Sequence, residues 1–186
     1  MRIVAGELRG RAILAPVGHD VRPTSDRARQ AVFNILEHAP WSEGIEGQRA
    51  MDLFAGSGAM GLEALSRGAA ACLFVELSEA ALTAVSANVS ALGLEARAKL
   101  MRQDATRLGR RPEAEGPYDL IFLDPPYAKG LAEPALAALL AGGWLAPGAV
   151  VMLERGSGEA AIEAPGLQLL DRRRYGKAEV LFLRPG

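Results

Sequence analysis

The chain has 186 residues, 49% of them apolar and 23% charged, with a net charge of −1. That length suits one domain, and the composition supplies a full hydrophobic core while arguing against a general nucleic-acid-coating protein. No apolar stretch approaches the roughly 20 residues of a membrane span, the polar start is unlike a signal peptide, and the lone Cys72 excludes an intrachain disulfide and fits a reducing cytoplasm.

In chain order, residues 2–15 read as a small hairpin, with a turn around Glu7 to Gly10. A loop with Pro16, Gly18 and Pro23 follows. Thr24 is placed to cap a helix over about residues 25–38, with Ala28, Ala31, Val32, Ile35 and Leu36 on one face. A Gly/Glu-rich connector, Ser42 to Gly47, closes this region. Two parts are expected: an N-terminal hairpin and helix, 1–42, and a larger domain, 43–186.

From Gln48 strands and helices alternate. Strands are expected at Ala50 to Phe54, Ala71 to Glu76, Lys99 to Met101, Tyr118 to Leu123 and Ala149 to Glu154. Helices are expected at Ala59 to Arg67, Glu79 to Leu92 and Ala132 to Ala141. Two antiparallel strands, Leu167 to Leu170 and Ala178 to Leu183, close the chain. This alternation predicts an α/β, Rossmann-like, three-layer fold with a mostly parallel seven-stranded sheet. Such sheets bind ligands at the carboxyl ends of their strands.

Charge is uneven. Residues 1–30 carry a local net charge of +3, through Arg2, Arg9, Arg11, Arg22, Arg27 and Arg29, and Arg172, Arg173, Arg174 and Lys177 cluster near the other end. Arginine forks suit phosphate, so two such clusters flanking a neutral core suggest nucleic-acid contact; a solvated surface is the plainer alternative. His19 and His38 are the only histidines and no Cys/His cluster exists, so no zinc site is expected. Cys72, inside a probable strand, reads as packing.

Gly56, Gly58 and Gly61 match G-x-G-x-x-G between a strand and a helix. The motif alone fits a dinucleotide site or a tight turn. Asp52 before the loop would repel a pyrophosphate and favour a cationic ligand. Glu76 stands 20 residues past Gly56, at the end of the second strand, where an acid binds ribose hydroxyls. These features favour S-adenosylmethionine. Asp104, after the third strand, could contact the adenine or simply cap a loop. The phosphate-binding pattern G-x-x-x-x-G-K-S/T is absent.

Asp124-Pro125-Pro126-Tyr127 follows the apolar run Leu120 to Leu123. A carboxylate can accept a hydrogen bond from an amine, the prolines fix the backbone, and the tyrosine offers a stacking face for a flipped base. A rigid turn is the structural alternative. The residues themselves reach as far as an exocyclic amine of a nucleobase, whether guanine, adenine or cytosine.

Together these segments resemble class I S-adenosylmethionine-dependent methyltransferases that act on exocyclic amines. The match is similar in particular to the bacterial 16S rRNA (guanine(966)-N2)-methyltransferase family, the RsmD-like enzymes. Arg2-Ile3-Val4-Ala5-Gly6, Arg9-Gly10-Arg11, the block from Arg22 to Asn34, Asp52 to Leu65, Asp124 to Tyr127, Gly143-Trp144-Leu145 and Tyr175-Gly176-Lys177 carry it in order. Ala5 and Gln30 depart from the common glycine and glutamate.

The resemblance implies methylation of a guanine N2 in 16S ribosomal RNA, within the small subunit or its precursor. It implies Asp124, Pro125, Pro126 and Tyr127 as catalytic residues. The expected cofactor contacts are Thr24, Asn34, Asp52, Phe54, Ala55, Gly56, Ser57, Gly58, Gly61, Glu76, Leu77, Asp104 and Ala105. Arg9, Arg11, Arg22, Arg27 and Arg29 are the expected RNA contacts. Asp124 is expected to be a carboxylate of ordinary acidity, with the amine's proton lost after transfer. No metal is expected, and the protein is expected to be a cytoplasmic monomer. Competing readings are a DNA adenine-N6 or cytosine-N4 methyltransferase, a noncatalytic assembly factor that binds the cofactor, and a dehydrogenase.

Overall fold

The computed structural model describes residues 1–16 and 25–186. Helix α1 spans Asp26–His38, followed by β1 Arg49–Leu53, α2 Ala59–Ser66, β2 Ala71–Glu76, α3 Glu79–Leu92, β3 Ala98–Arg102, β4 Tyr118–Leu123, α4 Ala132–Ala141, β5 Leu145–Gly156, β6 Leu167–Tyr175 and β7 Ala178–Pro185. A single 3₁₀ turn, Ala105–Arg107, lies between β3 and β4.

The seven strands form one sheet in the order β3-β2-β1-β4-β5-β7-β6. The five strands from β3 to β5 run parallel, and β7 is antiparallel to both β5 and β6. Strand order reverses between β1 and β4, the crevice where open α/β sheets bind ligands. The fold is the expected Rossmann-like, three-layer one.

Side-chain alternation explains the layers. Ala50, Phe74, Leu120, Phe122 and Met152 face one cluster, with Val32, Phe33 and Leu36 of α1, Leu62 and Leu65 of α2, and Val85 and Val89 of α3. Met51, Leu53, Val75, Ile121, Leu123 and Val151 face the other, with Ala135, Leu136 and Leu139 of α4. Burial on both faces is why these strands read as continuous apolar runs.

The N-terminal segment folds back on itself as a short hairpin, with an antiparallel bridge between Arg2 and Ala12 and backbone bonds from Ile3 N to Arg11 O, Gly10 N to Ile3 O and Ile13 N to Met1 O. It is held mainly by α2. The Glu63 carboxylate accepts from the Val4 and Ala5 N–H groups at 2.8 and 3.0 Å, and Ser66 Oγ accepts from Leu8 N. Asn88 of α3 exchanges bonds with Leu14 and donates to Ser57 O. Ile3 and Ile13 enter the same core as α1. Gly6 makes the close approach possible: its φ is +82°, and a Cβ there would lie 1.9 Å from the Ser66 carbonyl oxygen.

Several boundaries differ from the sequence reading. Ser25 caps α1, its Oγ accepting from Ala28 N, where Thr24 was expected; Thr24 itself lies outside the described residues. Phe54 leaves β1 in a left-handed conformation, φ 56°, because the chain must turn at once into the glycine loop. β5 starts four residues earlier than expected, because Leu145 already pairs with Tyr118 across a register shift in β4, and β6 continues to Tyr175, because it pairs with β7 as far as Ala178.

Candidate active site

Register brings the acids together. Leu53 pairs with Val75 and Leu123, and Leu123 with Leu153, so one step past those residues Glu76, Phe54, Asp124 and Glu154 form a row, with Phe54 between Glu76 and Asp124. Alternation puts the three acids, with Asp52, on the face that carries α1 and α2. All four line one cleft of about 680 Å³ with Arg29, Phe54, Ala55, Gly56, Ser57 and Tyr127.

Each acid has a distinct environment. Glu76 accepts from three backbone N–H groups, those of Gly56, Leu77 and Ser78, each at 2.9 Å, which fixes its carboxylate at the cleft wall. Two oxygens with about four acceptor sites leave it able to take ribose hydroxyls as well. Asp52 is 3% exposed and accepts from Gly61 N at 2.9 Å. Burial, reinforced by the Glu76 charge and opposed by the Gly61 bond, pushes its carboxyl up to about 8. Burial and the charges of Glu154 and Asp52 raise Asp124 well above the usual carboxylate range. The expectation of ordinary acidity at Asp124 is therefore corrected: burial, with the neighbouring charges of Glu154 and Asp52, disfavours its ionised form.

The Asp52–Gly61 bond also decides what the glycine loop can hold. In dinucleotide folds a pyrophosphate sits on the N–H groups that open the helix. Here Asp52 occupies one of them from within the chain. A ligand with a cation near Asp52 would restore its ionised form, and a sulfonium amino acid fits that need. Gly61 is required for a second reason: a Cβ there would lie 2.4 Å from the Phe74 ring and 2.6 Å from Cys72 Sγ. Cys72 is buried packing, and burial raises its thiol well above the ordinary value.

The unusual acidity of Asp52 carries a stability prediction. The group ionises near 3.8 unfolded and near 8 folded, so the fold retains a proton that the unfolded chain releases, and stability is lost as pH rises through that window. Asp52→Asn keeps an oxygen for Gly61 and removes the titration. Its melting temperature should exceed the wild-type value by an amount that grows from about pH 5 to 8 and then levels, reaching roughly 5 °C or more. A pH-independent difference in thermal melts would show that Asp52 is not the group that titrates.

Tyr127 borders a second cavity of about 750 Å³, lined also by Ser25, Arg27, Ala31, Glu154, Tyr175 and Lys177. Its hydroxyl donates to Glu154 Oε1 at 2.7 Å, which fixes the ring between the two spaces. Pro125 is buried and Pro126 exposed, and the following Ala128 has φ 58°, so the backbone turns sharply out of the site.

The other expected site residues divide. Gly58 adopts φ 79° at the start of α2, and Gly61 packs on the sheet; neither lines the cleft. Leu77 is 59% exposed beside Glu76. Asp104 accepts from Thr106 N and Oγ1, and these bonds hold its carboxyl below the usual range; it caps the 3₁₀ turn, and Ala105 enters the core. Asn34 is exposed on α1 and lines neither cavity. Arg9, Arg11 and Arg27 are exposed, Arg27 at the mouth of the second cavity. Arg22 lies outside the described residues. Arg29 is corrected outright as an RNA contact: it is 0% exposed, paired with Asp26 at 2.9 Å and with Glu63 at 3.5 Å.

Glu154, Met1, Ser78 and Arg29 belong to the cleft and were not assigned to it from sequence. For Glu154 the signal was present: an acid ending the strand next to the one that carries Asp124. Among the described residues, no group of three or more His, Cys, Asp or Glu is placed to hold a metal ion, and no helix is long and apolar enough to cross a membrane.

A family model described as Conserved hypothetical protein 95 matches residues 1–184. The chain is 40% identical over 141 residues to "Putative rRNA methyltransferase YlbH" of Bacillus subtilis, spanning 75% of the chain and 72% of that protein. It is 33% identical over 177 residues to "Ribosomal RNA small subunit methyltransferase D" of Haemophilus influenzae, spanning 95% and 89%. Among solved structures it is similar to "Putative methyltransferase yhhF" from Escherichia coli, with a TM-score of 0.83 and 31% identity over 100% of this chain and 97% of that one.

Proposed function

The chain belongs to the family described as Conserved hypothetical protein 95, the RsmD-like methyltransferases, and from that premise we propose that it methylates the exocyclic N2 of a guanine in 16S ribosomal RNA, using S-adenosylmethionine. The relatives' names support ribosomal RNA methylation. The observation that carries the finer reading is the sharing of one cleft, at the strand-order reversal, by Asp52, Glu76 and Asp124, with the Tyr127 ring between it and a second cavity.

S-adenosylmethionine, when bound, supplies an electrophilic methyl group on a sulfonium. Glu76 would hold the ribose, with Phe54 to Ser57 along the wall and Leu77, Asp104 and Ala105 at the same end of the sheet. Asp52 would face the cationic end. Asp124 and the Pro125 carbonyl would accept the two N–H bonds of the guanine amine, aiming its lone pair, which the ring otherwise delocalises, at the methyl carbon. Positive charge grows on nitrogen as the new bond forms, so these acceptors stabilise the transition state more than the ground state. Asp124, made more basic by burial and by its acidic neighbours, is suited to take the proton. Tyr127 would stack the flipped base, worth about 1–3 kcal/mol.

Residues 43–186 would form the catalytic domain, and residues 1–42 an extension facing RNA. Arg9, Arg11 and Arg27, with Arg22, would contact phosphate, which positions without specifying. We place the enzyme in the cytoplasm, acting as a monomer on the small subunit or its precursor.

Tritiated methyl transfer onto duplex DNA, naked 16S rRNA and unmethylated small-subunit particles tests the substrate class. Label is expected in the rRNA of the particles; label in DNA alone would overturn the reading. Glu76→Ala should weaken S-adenosylhomocysteine binding by about 50-fold or more in calorimetry, since it removes the ribose acceptor and frees three N–H groups. An unchanged affinity would place the ribose elsewhere.

A further inference from the structure

We propose that Arg29 is a cofactor-binding residue whose Nη1 takes the α-carboxylate of the methyl donor, a role that rests on the S-adenosylmethionine reading above. The amino-acid end of that molecule carries an ammonium and a carboxylate. The cleft has acids in excess for the first: Asp52, Glu76, Asp124 and Glu154. For the second, the side-chain cations lining it among the described residues are Lys129, which is exposed, and Arg29, which is fully buried.

Backbone donors of the glycine loop are largely committed. Ala55 N donates to Val75 O, Gly56 N to Glu76, Gly58 N to Ala55 O and Gly61 N to Asp52. With these four N–H groups committed, a carboxylate entering here gains from a side-chain donor. Arg29 is held for that purpose by its other atoms. Nη2 donates to Asp26 Oδ1 and to the Arg2 carbonyl, and Nε lies 3.5 Å from Glu63 Oε2. Nη1 is buried and has no hydrogen-bond partner. Nε, beside Glu63, likewise has no hydrogen-bond partner; buried guanidinium N–H groups are rarely left so, and a fork anchored through Nη2 and paired with Glu63 holds Nη1 ready for a carboxylate. The alternative is that Arg29 only ties α1 to α2 and the N-terminal segment.

A binding cycle separates the two. S-adenosylhomocysteine and its decarboxylated analogue, which keeps the amine, are titrated by calorimetry into wild type, Arg29→Gln and Asp26→Ala. Wild type should bind the analogue on the order of 10- to 100-fold more weakly. In Arg29→Gln that ratio should collapse to within about threefold. Asp26→Ala, which loosens the arginine's support without removing it, should keep most of the ratio. Equal binding of both ligands by wild type, or an undiminished ratio in Arg29→Gln, overturns the proposal. If Arg29→Gln does not fold, Arg29→Lys is measured instead, where a ratio as large as wild type is the contrary result. No binding of S-adenosylhomocysteine to wild type would sink the cofactor reading itself, a separate failure.

Discussion

Asp124→Ala should lower methyl transfer about 10³-fold or more while leaving S-adenosylhomocysteine affinity within a few-fold of wild type. The substitution removes an acceptor aimed at the reacting nitrogen and the group placed to receive its proton, both of which matter most as charge develops. Stability should not suffer, because the lost carboxyl is half-buried beside the like charges of Glu154 and Asp52. Asp124→Asn keeps an oxygen but neither charge nor basicity, and should fall between the two. The raised acidity constant adds a pH signature. Turnover needs the ionised form, so the wild-type rate should climb through a limb above the usual carboxylate range, and Asp124→Asn should lose that limb. Turnover near wild type in Asp124→Ala with normal ligand affinity would end the catalytic assignment.

Glu63→Ala should destabilise the protein by about 3–5 kcal/mol, a large share of the roughly 5–15 kcal/mol that holds a typical domain folded. Glu63 is 0% exposed. It accepts from Val4 N, Ala5 N and Arg67 Nε and pairs with Arg29. Its removal strands two backbone donors and takes one acid partner from each of two nearly buried arginines, leaving Arg29 with Asp26 and Arg67 with Glu37. Urea denaturation should show the lost stability, and limited proteolysis should cut first near the N-terminus, where the segment's chief anchor has gone. Glu63→Gln keeps one acceptor and should cost less. A loss below about 1 kcal/mol for Glu63→Ala would mean that the N-terminal segment is held by its apolar residues alone.

The parts of this fold that were legible in the sequence are those governed by local pattern. β2, α3, β4 and α4 have the expected bounds because Ser78 caps α3, Gly93 ends it in a left-handed turn, and β2 and β4 are apolar runs buried on both faces. The alternation of strands and helices was enough for the parallel sheet, and with it the end at which Asp52, Glu76 and Asp124 gather. β6 was legible only in part because Arg172, Arg173 and Arg174 interrupt any apolar pattern; Glu179 of β7 pairs with Arg172 and Arg174, and that is a cross-strand fact.

What could not be read is what long-range contact decides. Arg29 sits in a run of arginines and reads as surface, yet Glu63, 34 residues on, makes its buried position tenable. Glu63 carried a warning of its own, as the lone acid in an otherwise apolar helix turn. The acidity of Asp124 depends on Glu154 and Asp52, brought beside it by sheet register. Tyr127 was read as a stacking ring, but its tether to Glu154 is a tertiary contact.

The most direct test of the central claim is nucleoside mass spectrometry of 16S rRNA. Small subunits from a strain lacking the gene are incubated with the purified protein and S-adenosylmethionine, and the rRNA is digested and mapped. One new N2-methylguanosine at a single position is the predicted result. N6-methyladenosine, N4-methylcytidine or no new methylated nucleoside would contradict it.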